Sequence, residues 1–189
     1  ESNEVLTKTD GVLYKVDTMN SRVEWKGYKV LKSDQTTHFG TIRFESGDVT
    51  VKDGKLQSGK FVADINTLEN VDLKGDEAMK TKLEGHLKST DFFEVEKFPT
   101  ASYEITKVTE AKSGDYNTIL DGNLTIKGIT KPVQFKANVT VQNENVSIAT
   151  EPTDINREDY GLKFEIPLEN GLLNKEINLQ ILIKAMESK

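Results

Sequence analysis

Several stretches of this sequence alternate between apolar and polar residues with a period of two. The longest are residues 133–141 and 177–185, further runs cover 61–67 and 120–126, and shorter ones occur at 23–25, 42–44 and 101–105. Successive side chains of a strand point to opposite faces of a sheet, whereas a helix repeats every 3.6 residues. The pattern therefore predicts strands that each have one apolar face.

Short polar segments separate these strands. Residues 52–55 contain Asp53-Gly54, residues 128–131 precede Pro132, and residues 143–145 lie between two valines. Strands joined by such short connections pair as hairpins, so the sheet is predicted to be antiparallel. About eight such strands predict an all-β sandwich or a closed barrel, and the pattern does not choose between them.

One segment, from about residue 70 to 98, departs from the strand pattern. Met79, Leu83 and Leu87 recur at a spacing of four, which places them on one face of a helix. Asp76 is a suitable N-cap, and Ser89 or Thr90 caps a second short turn. We predict a short helical insertion here, and an irregular stretch over 152–174 with a short strand at 162–166 and a loop at 167–171.

Composition narrows the classes of function. The chain has 189 residues, enough for one domain with a sizeable core, and a net charge of -6, which disfavours binding to nucleic acid. It contains no cysteine, so disulfides and thiolate metal sites are excluded. No apolar run is long enough to span a bilayer as a helix, and no suitable metal-ligand cluster is visible.

Three stretches resemble the YceI-like family of bacterial lipid-binding proteins. The most specific is residues 85–101, which read Gly-His-Leu-Lys-Ser-Thr-Asp-Phe-Phe-Glu-Val-Glu-Lys-Phe-Pro-Thr-Ala. Residues 122–133 and 155–162 also match, and residues 23–27 and 38–42 occur in the expected order. The resemblance covers nearly the whole chain after about Gly11.

The resemblance implies an extended, lipocalin-like antiparallel β-barrel of about eight strands with a helix near one end. Such a barrel holds a polyisoprenoid, an isoprenoid quinone or another apolar lipid in a long internal pocket, and it needs no cofactor. Export to the periplasm, or anchoring in the cell envelope as a lipoprotein, is also implied, and a homodimer is possible. We expect a flexible tail over residues 1–11 and a single domain over 12–189.

The family has no defined set of functional side chains, so the candidate site comes from the residue pattern. The inward-facing apolar candidates for the cavity lining are Trp25, Ile42, Phe44, Phe61, Ile65, Tyr103, Leu124 and Phe135. The candidates that cover an opening from the helical insertion are Met79, Leu83, Leu87, Phe92 and Phe93. The candidates for a polar rim or head-group contact are His86, Asp91 and Arg157. The alternative for each apolar residue is that it simply fills a core, since small barrels are often packed solid.

Two other functions stay open beside a lipid carrier. One is a packed barrel that binds another protein through the helical insertion and residues 152–174. The other is a hydrolase, because His86, Ser89 and Asp91 include the residue types of a catalytic triad. The sequence lacks a Gly-x-Ser-x-Gly nucleophile motif, so the expectation is that the protein is not an enzyme.

Overall fold

The computed structural model describes residues 11–31, 34–90, 92–162 and 172–188. The strands are β1 (Val12–Val16), β2 (Arg22–Leu31), β3 (Asp34–Lys52), β4 (Lys55–Asn70), β5 (Thr100–Glu110), β6 (Thr118–Ile126), β7 (Ile129–Gln142), β8 (Asn145–Thr150), β9 (Thr153–Asn156) and β10 (Leu172–Glu187). The helix α1 (Glu77–Lys88) lies between β4 and β5, and a 3₁₀ helix (Arg157–Tyr160) follows β9. The predicted tail over 1–10, the loop over 167–171 and most of the strand at 162–166 lie outside the described residues.

The strands form a closed antiparallel ring. Neighbours run in the order β10, β2, β3, β4, β5, β6, β7, β8, and the ring closes because β8 also pairs with β10, with Ile148 opposite Ile183. β1 lies between β3 and β10, as β2 does, so the two segments share one position in the ring. β9 follows β8 along the edge of β10 and pairs with it. The closed ring removes the sandwich alternative and confirms the lipocalin-like barrel of eight strand positions.

The inner face of this ring is the hydrophobic core. Directly paired residues of antiparallel strands share a face, so Phe135 and its partner Leu120 both point inward. Phe135 and Leu120 are 0% and 1% exposed, whereas the next residue of β7, Lys136, is exposed. The alternation seen in the sequence therefore separates the core from the solvent.

Two-residue turns connect the hairpins. Asp53 and Gly54 have φ values of 54° and 76°, and Lys127 and Gly128 have 52° and 76°. These left-handed conformations are those of a type I′ turn, which matches the twist of paired strands. The turn after β6 is therefore Lys127-Gly128, and the prediction of a turn over 128–131 was wrong.

Pro132 consequently lies inside β7, opposite Asn123, and does not open the strand. The first half of β7 pairs with β6 on one side only, because β8 pairs with β7 from Ala137 onward. Within the described residues no strand pairs with its other edge. Proline tolerates such an edge position because it has no N–H to contribute to a ladder.

The helix α1 confirms the predicted insertion. Asp76 is its N-cap and accepts a hydrogen bond from the Met79 main-chain N–H at 3.2 Å. The Asn70 N–H at the end of β4 donates to Glu84 Oε2 at 2.9 Å, which ties the helix to the ring. We call this end of the ring the helix end, and the end with the Asp53-Gly54 turn the hairpin end.

Candidate functional site

A small apolar cavity lies inside the ring. Its volume is about 50 Å³. It is lined by Val23, Ile42, Phe44, Phe61, Ala63, Ile65, Phe93, Ala101, Ser102, Tyr103, Leu124, Ile126, Ile177, Leu179 and Ile181. The described lining contains no charged side chain. Water needs two to four polar partners to occupy a cavity, so this lining favours apolar atoms over water.

Aromatic rings fill much of the interior around the cavity. Phe44 and Phe61 meet edge to face at 6.2 Å between ring centroids, and Tyr103 and Phe135 at 5.0 Å. The Tyr103 hydroxyl lies 2.8 Å from the Val133 carbonyl oxygen and 3.3 Å from that of Leu120, to which it can donate. Burial, aided by the nearby Asp121 and Tyr160, raises the pKa of Tyr103 above its usual range. The long pocket implied by the family resemblance is thus narrow in this structure, because these rings occupy its middle.

The structure brings many of the predicted lining residues together. Those that line the cavity are Ile42, Phe44, Phe61, Ile65, Phe93, Tyr103 and Leu124. Trp25 and Phe135 are buried on the inner face but lie outside the cavity wall. Those that the prediction missed are Val23, Ala63, Ala101, Ser102, Ile126, Ile177, Leu179 and Ile181. The prediction favoured aromatic residues, although the alternation at 177–185 already indicated the inner face of β10.

The residues of the helical insertion divide between core and solvent. Leu87, Phe92 and Phe93 are buried, and the two phenylalanine rings meet edge to face at 4.8 Å. Leu83 is partly buried and packs against the core, whereas Met79 is 50% exposed. The C-terminal part of α1 and the turn after it therefore contact the core, and the N-terminal part faces solvent.

Two of the predicted rim residues, His86 and Arg157, lie in separate environments. The His86 carbonyl accepts hydrogen bonds from the Ser89 N–H at 3.2 Å and the Ser89 hydroxyl at 2.6 Å. Asp91, the third member of the hypothetical triad, lies outside the described residues. Arg157 is only 7% exposed, and its Nη1 donates to the Leu162 carbonyl at 2.6 Å. Burial lowers the pKa of Arg157, and the nearby Glu158 opposes this effect.

Two buried polar atoms have no hydrogen-bond partner within the described part of the chain. They are Nε1 of Trp25 and the hydroxyl of Tyr160, whose side chains are 8% and 1% exposed. Burial, aided by Asp159, raises the pKa of Tyr160 to about 12. Nearly all buried polar groups in proteins are satisfied, so each unpaired group calls for an explanation.

A polar cluster that the sequence did not indicate lies near Trp25 at the helix end. His38 Nδ1 is 2.7 Å from Asp72 Oδ2, and Asp72 Oδ1 accepts from the Phe39 N–H at 2.8 Å and from Asn70 Nδ2 at 2.6 Å. Burial raises the pKa of Asp72, but the hydrogen bonds from Phe39, His38 and Asn70 together hold this pKa below its ordinary value. Asp72 is therefore ionised at neutral pH.

The hairpin end of the ring is different. A groove of about 530 Å³ opens there, with Leu56, Val108 and Val139 in its wall. Lys55 and Glu110 form an ion pair at 2.8 Å on its rim, and both are well exposed. The hydrogen bond between them raises the pKa of Lys55 and lowers the pKa of Glu110, so both stay charged at neutral pH. Water surrounds both partners, so the pair contributes little to stability.

The described residues contain neither a metal site nor a membrane-spanning helix. No group of three or more His, Asp or Glu side chains in the described segments is arranged to hold a metal ion. Among these residues there is also no helix of the length and apolar character that a membrane-spanning helix requires.

Comparisons with known proteins agree with this architecture. A family model for the YceI-like domain matches residues 14–185. A UPF0312 protein of Pseudomonas putida is 27% identical over 187 residues, covering 93% of this chain and 87% of the relative, and Protein YceI of Salmonella heidelberg is 29% identical over 189 residues with the same coverage.

Solved structures are similar over nearly the same length. The crystal structure of Burkholderia cenocepacia BcnA has a TM-score of 0.68 at 17% identity, covering 90% of this chain and 99% of that one. A polyisoprenoid binding domain from Saccharophagus degradans has a TM-score of 0.65 at 13% identity, with coverage of 94% and 99%. The chain belongs to the YceI-like domain family.

Proposed function

We propose that this protein binds an apolar lipid inside its ring of strands and carries or stores it, with a polyisoprenoid as the guest. The observation that carries this proposal is the uncharged apolar cavity at the centre of a closed ring. Each methylene buried there contributes about 0.8 kcal/mol, so a long hydrocarbon chain gains affinity from enclosure alone. The proposal is a binding protein and not an enzyme.

The comparisons support the same class of ligand. The Saccharophagus degradans neighbour is described as a polyisoprenoid binding domain. Its identity to this chain is 13%, so the likeness concerns the fold. Together with membership of the family, it makes an apolar lipid the best supported guest. A periplasmic or cell-envelope location and a homodimer stay predictions.

The cavity volume sets a condition on the proposal. Typical ligand pockets measure roughly 300–1,000 Å³, far more than the cavity in this structure. A long ligand must therefore displace inner side chains. The first half of β7 offers a place for this, since the described strands pair with it on one edge only. Binding is expected to require that the ring loosens there.

A matched pair of variants on β4 tests the proposal. Ala63 points into the cavity, while the neighbouring Val62 points to the outer face. Ala63→Phe should fill the cavity and reduce binding of geranylgeraniol, a C20 isoprenoid alcohol, at least tenfold, while Val62→Phe should leave it unchanged. Native mass spectrometry measures the bound fraction, and circular dichroism verifies that both variants fold.

The filled interior favours one alternative, a packed barrel that binds another protein. Its contact surfaces would be α1 and the part of residues 152–174 that the structure describes. If the wild-type protein binds no geranylgeraniol, or if Ala63→Phe binds it as well as wild type, the lipid proposal is wrong and this alternative becomes the better one.

A further inference from the structure

The inner face of the ring changes character at the helix end. Along β2, the inward residues Val23, Trp25 and Gly27 lie opposite Ile42, Gly40 and His38 of β3. Val23 and Ile42 belong to the cavity wall. Beyond them the wall contains two glycines, one unpaired indole N–H and one histidine, so it becomes polar and less filled.

The Trp25 ring lies against Gly40. Its Cζ2 atom is 2.8 Å from the position that a Cβ on Gly40 would occupy. Cζ2 is two bonds from Nε1, so the indole nitrogen also lies close to β3. The next inward residue of β3 toward the helix end is His38, a diagonal neighbour within reach of a large aromatic side chain.

The ionised Asp72 determines the role of His38. A carboxylate only accepts hydrogen bonds, so His38 Nδ1, at 2.7 Å from Asp72 Oδ2, must carry the proton. In the neutral imidazole this leaves a lone pair on Nε2. The contact with Asp72 is the hydrogen bond that the described structure gives the His38 ring, and it leaves Nε2 available to a ligand.

Open space lies on the inner face opposite His38, one residue pair along the sheet from Trp25. No described atom lies within 4 Å of the position that a Cβ on Gly27 would occupy, and Gly27 is directly opposite His38. The inner face therefore combines a buried donor (Trp25 Nε1), an acceptor (His38 Nε2) and the open position at Gly27. All three belong to two cross-strand pairs that follow each other on this face.

We propose that Trp25 Nε1 and His38 Nε2 bind the hydroxyl head of an isoprenoid alcohol or phenol. A hydroxyl oxygen accepts one hydrogen bond from the indole N–H while its proton is donated to the imidazole nitrogen. The apolar chain then extends past Val23 and Ile42 into the cavity. This inference rests on the proposed function and specifies the chemical class of its ligand.

The groups around Trp25 and His38 disfavour lipids with other head groups. A bare hydrocarbon gives the buried Trp25 N–H no partner, so it gains no affinity from this donor. An anionic head, such as a phosphate, would lie close to the negative charge of Asp72, whose described contacts are Phe39, His38 and Asn70. An uncharged head with one donor and one acceptor satisfies both atoms.

Two probes that differ only in the head test this inference on the wild-type protein. Geranylgeraniol donates and accepts hydrogen bonds, whereas its methyl ether only accepts. Wild type should bind the alcohol about tenfold more tightly than the ether, the difference that one hydrogen bond makes in affinity. Competition with a fluorescent apolar reporter measures both affinities.

Two variants test whether His38 and Trp25 cause the preference for the alcohol over the ether. His38→Asn keeps an amide N–H near Asp72 but removes Nε2, so the alcohol should lose its advantage while binding of the ether stays unchanged. Trp25→Phe removes the donor to both heads, so both probes should bind more weakly. Lys55→Ala at the hairpin end is the control and should match wild type.

The outcomes separate the two proposals. Equal binding of alcohol and ether by wild type, or an undiminished preference in His38→Asn, overturns the hydroxyl site and leaves the lipid-binding function standing. Failure of wild type to bind either probe overturns both.

Discussion

Two aromatic rings of the interior lie over a glycine of a neighbouring strand, and they differ in how their polar atoms are satisfied. In the middle of the ring, Tyr103 covers Gly122, and its hydroxyl reaches the carbonyls of Leu120 and Val133. At the helix end, Trp25 covers Gly40, and its Nε1 has no partner in the described structure. An aromatic ring packed on a glycine thus has a satisfied polar atom in the middle of the ring of strands and an unsatisfied donor at the helix end. The helix end is where we place the head group of the ligand.

The largest expected effect comes from adding a Cβ to Gly40, the glycine that packs against Trp25. A Cβ on Gly40 would lie 1.8 Å from the Glu69 carbonyl oxygen, a main-chain atom that cannot rotate away. Gly40→Ala should therefore lower the free energy of unfolding by about 3 kcal/mol or more, as severe overpacking does. Urea denaturation followed by circular dichroism measures the loss.

Gly27→Ala is the matched control on the same end of the sheet. Its Cβ meets no described atom within 4 Å, and alanine suits a strand better than glycine by about 0.5–1 kcal/mol. Its stability should equal or slightly exceed that of wild type. A loss as large as that of Gly40→Ala would show that the space beside His38 does not exist.

A smaller effect distinguishes the two buried tyrosines. Tyr103→Phe removes a hydrogen-bonded hydroxyl and takes this donor away from its carbonyl partners. The free energy of unfolding should therefore fall by about 1–3 kcal/mol. Tyr160→Phe removes a hydroxyl that has no partner in the described chain, so its stability should be unchanged or slightly higher. The same denaturation experiment compares them, and equal losses would contradict the contrast between paired and unpaired groups.

The smallest effect is a pH dependence at the helix end. The folded protein holds the pKa of Asp72 below its unfolded value, so Asp72 stabilises the fold above the unfolded pKa of about 4. This contribution disappears as the pH falls through the folded pKa. Asp72→Asn should therefore flatten the acid side of the stability profile between about pH 5 and 2. The exposed Asp48→Asn is the control, and identical profiles for both variants would exclude the effect.

The sequence predicted the parts that depend on local pattern. Alternation identified the strands around Phe135 and Ile181, and Asp76 marked the start of the helix, because these signals act between neighbours in the chain. The position of Pro132 was misjudged, since only the ring shows that the first half of β7 has a free edge.

The polar cluster could not be predicted in the same way. His38 and Asp72 are 34 residues apart and meet only through the register of β3 with β4 and the chain that follows. Neither belongs to a motif with a fixed spacing. Likewise, the volume of the cavity depends on how Phe44, Phe61 and Tyr103 turn their rings, which no alternation pattern specifies.

Among the described strands, β10 pairs with the largest number of neighbours. The 16 residues of β10 pair with β1, β2, β8 and β9, so Tyr14 lies opposite Glu187. During synthesis the ring therefore stays open until this strand emerges, and contacts so distant in sequence form slowly. A chain truncated before Leu172 would leave the edges of β2 and β8 that β10 covers without a partner, and such exposed edges can pair with other chains.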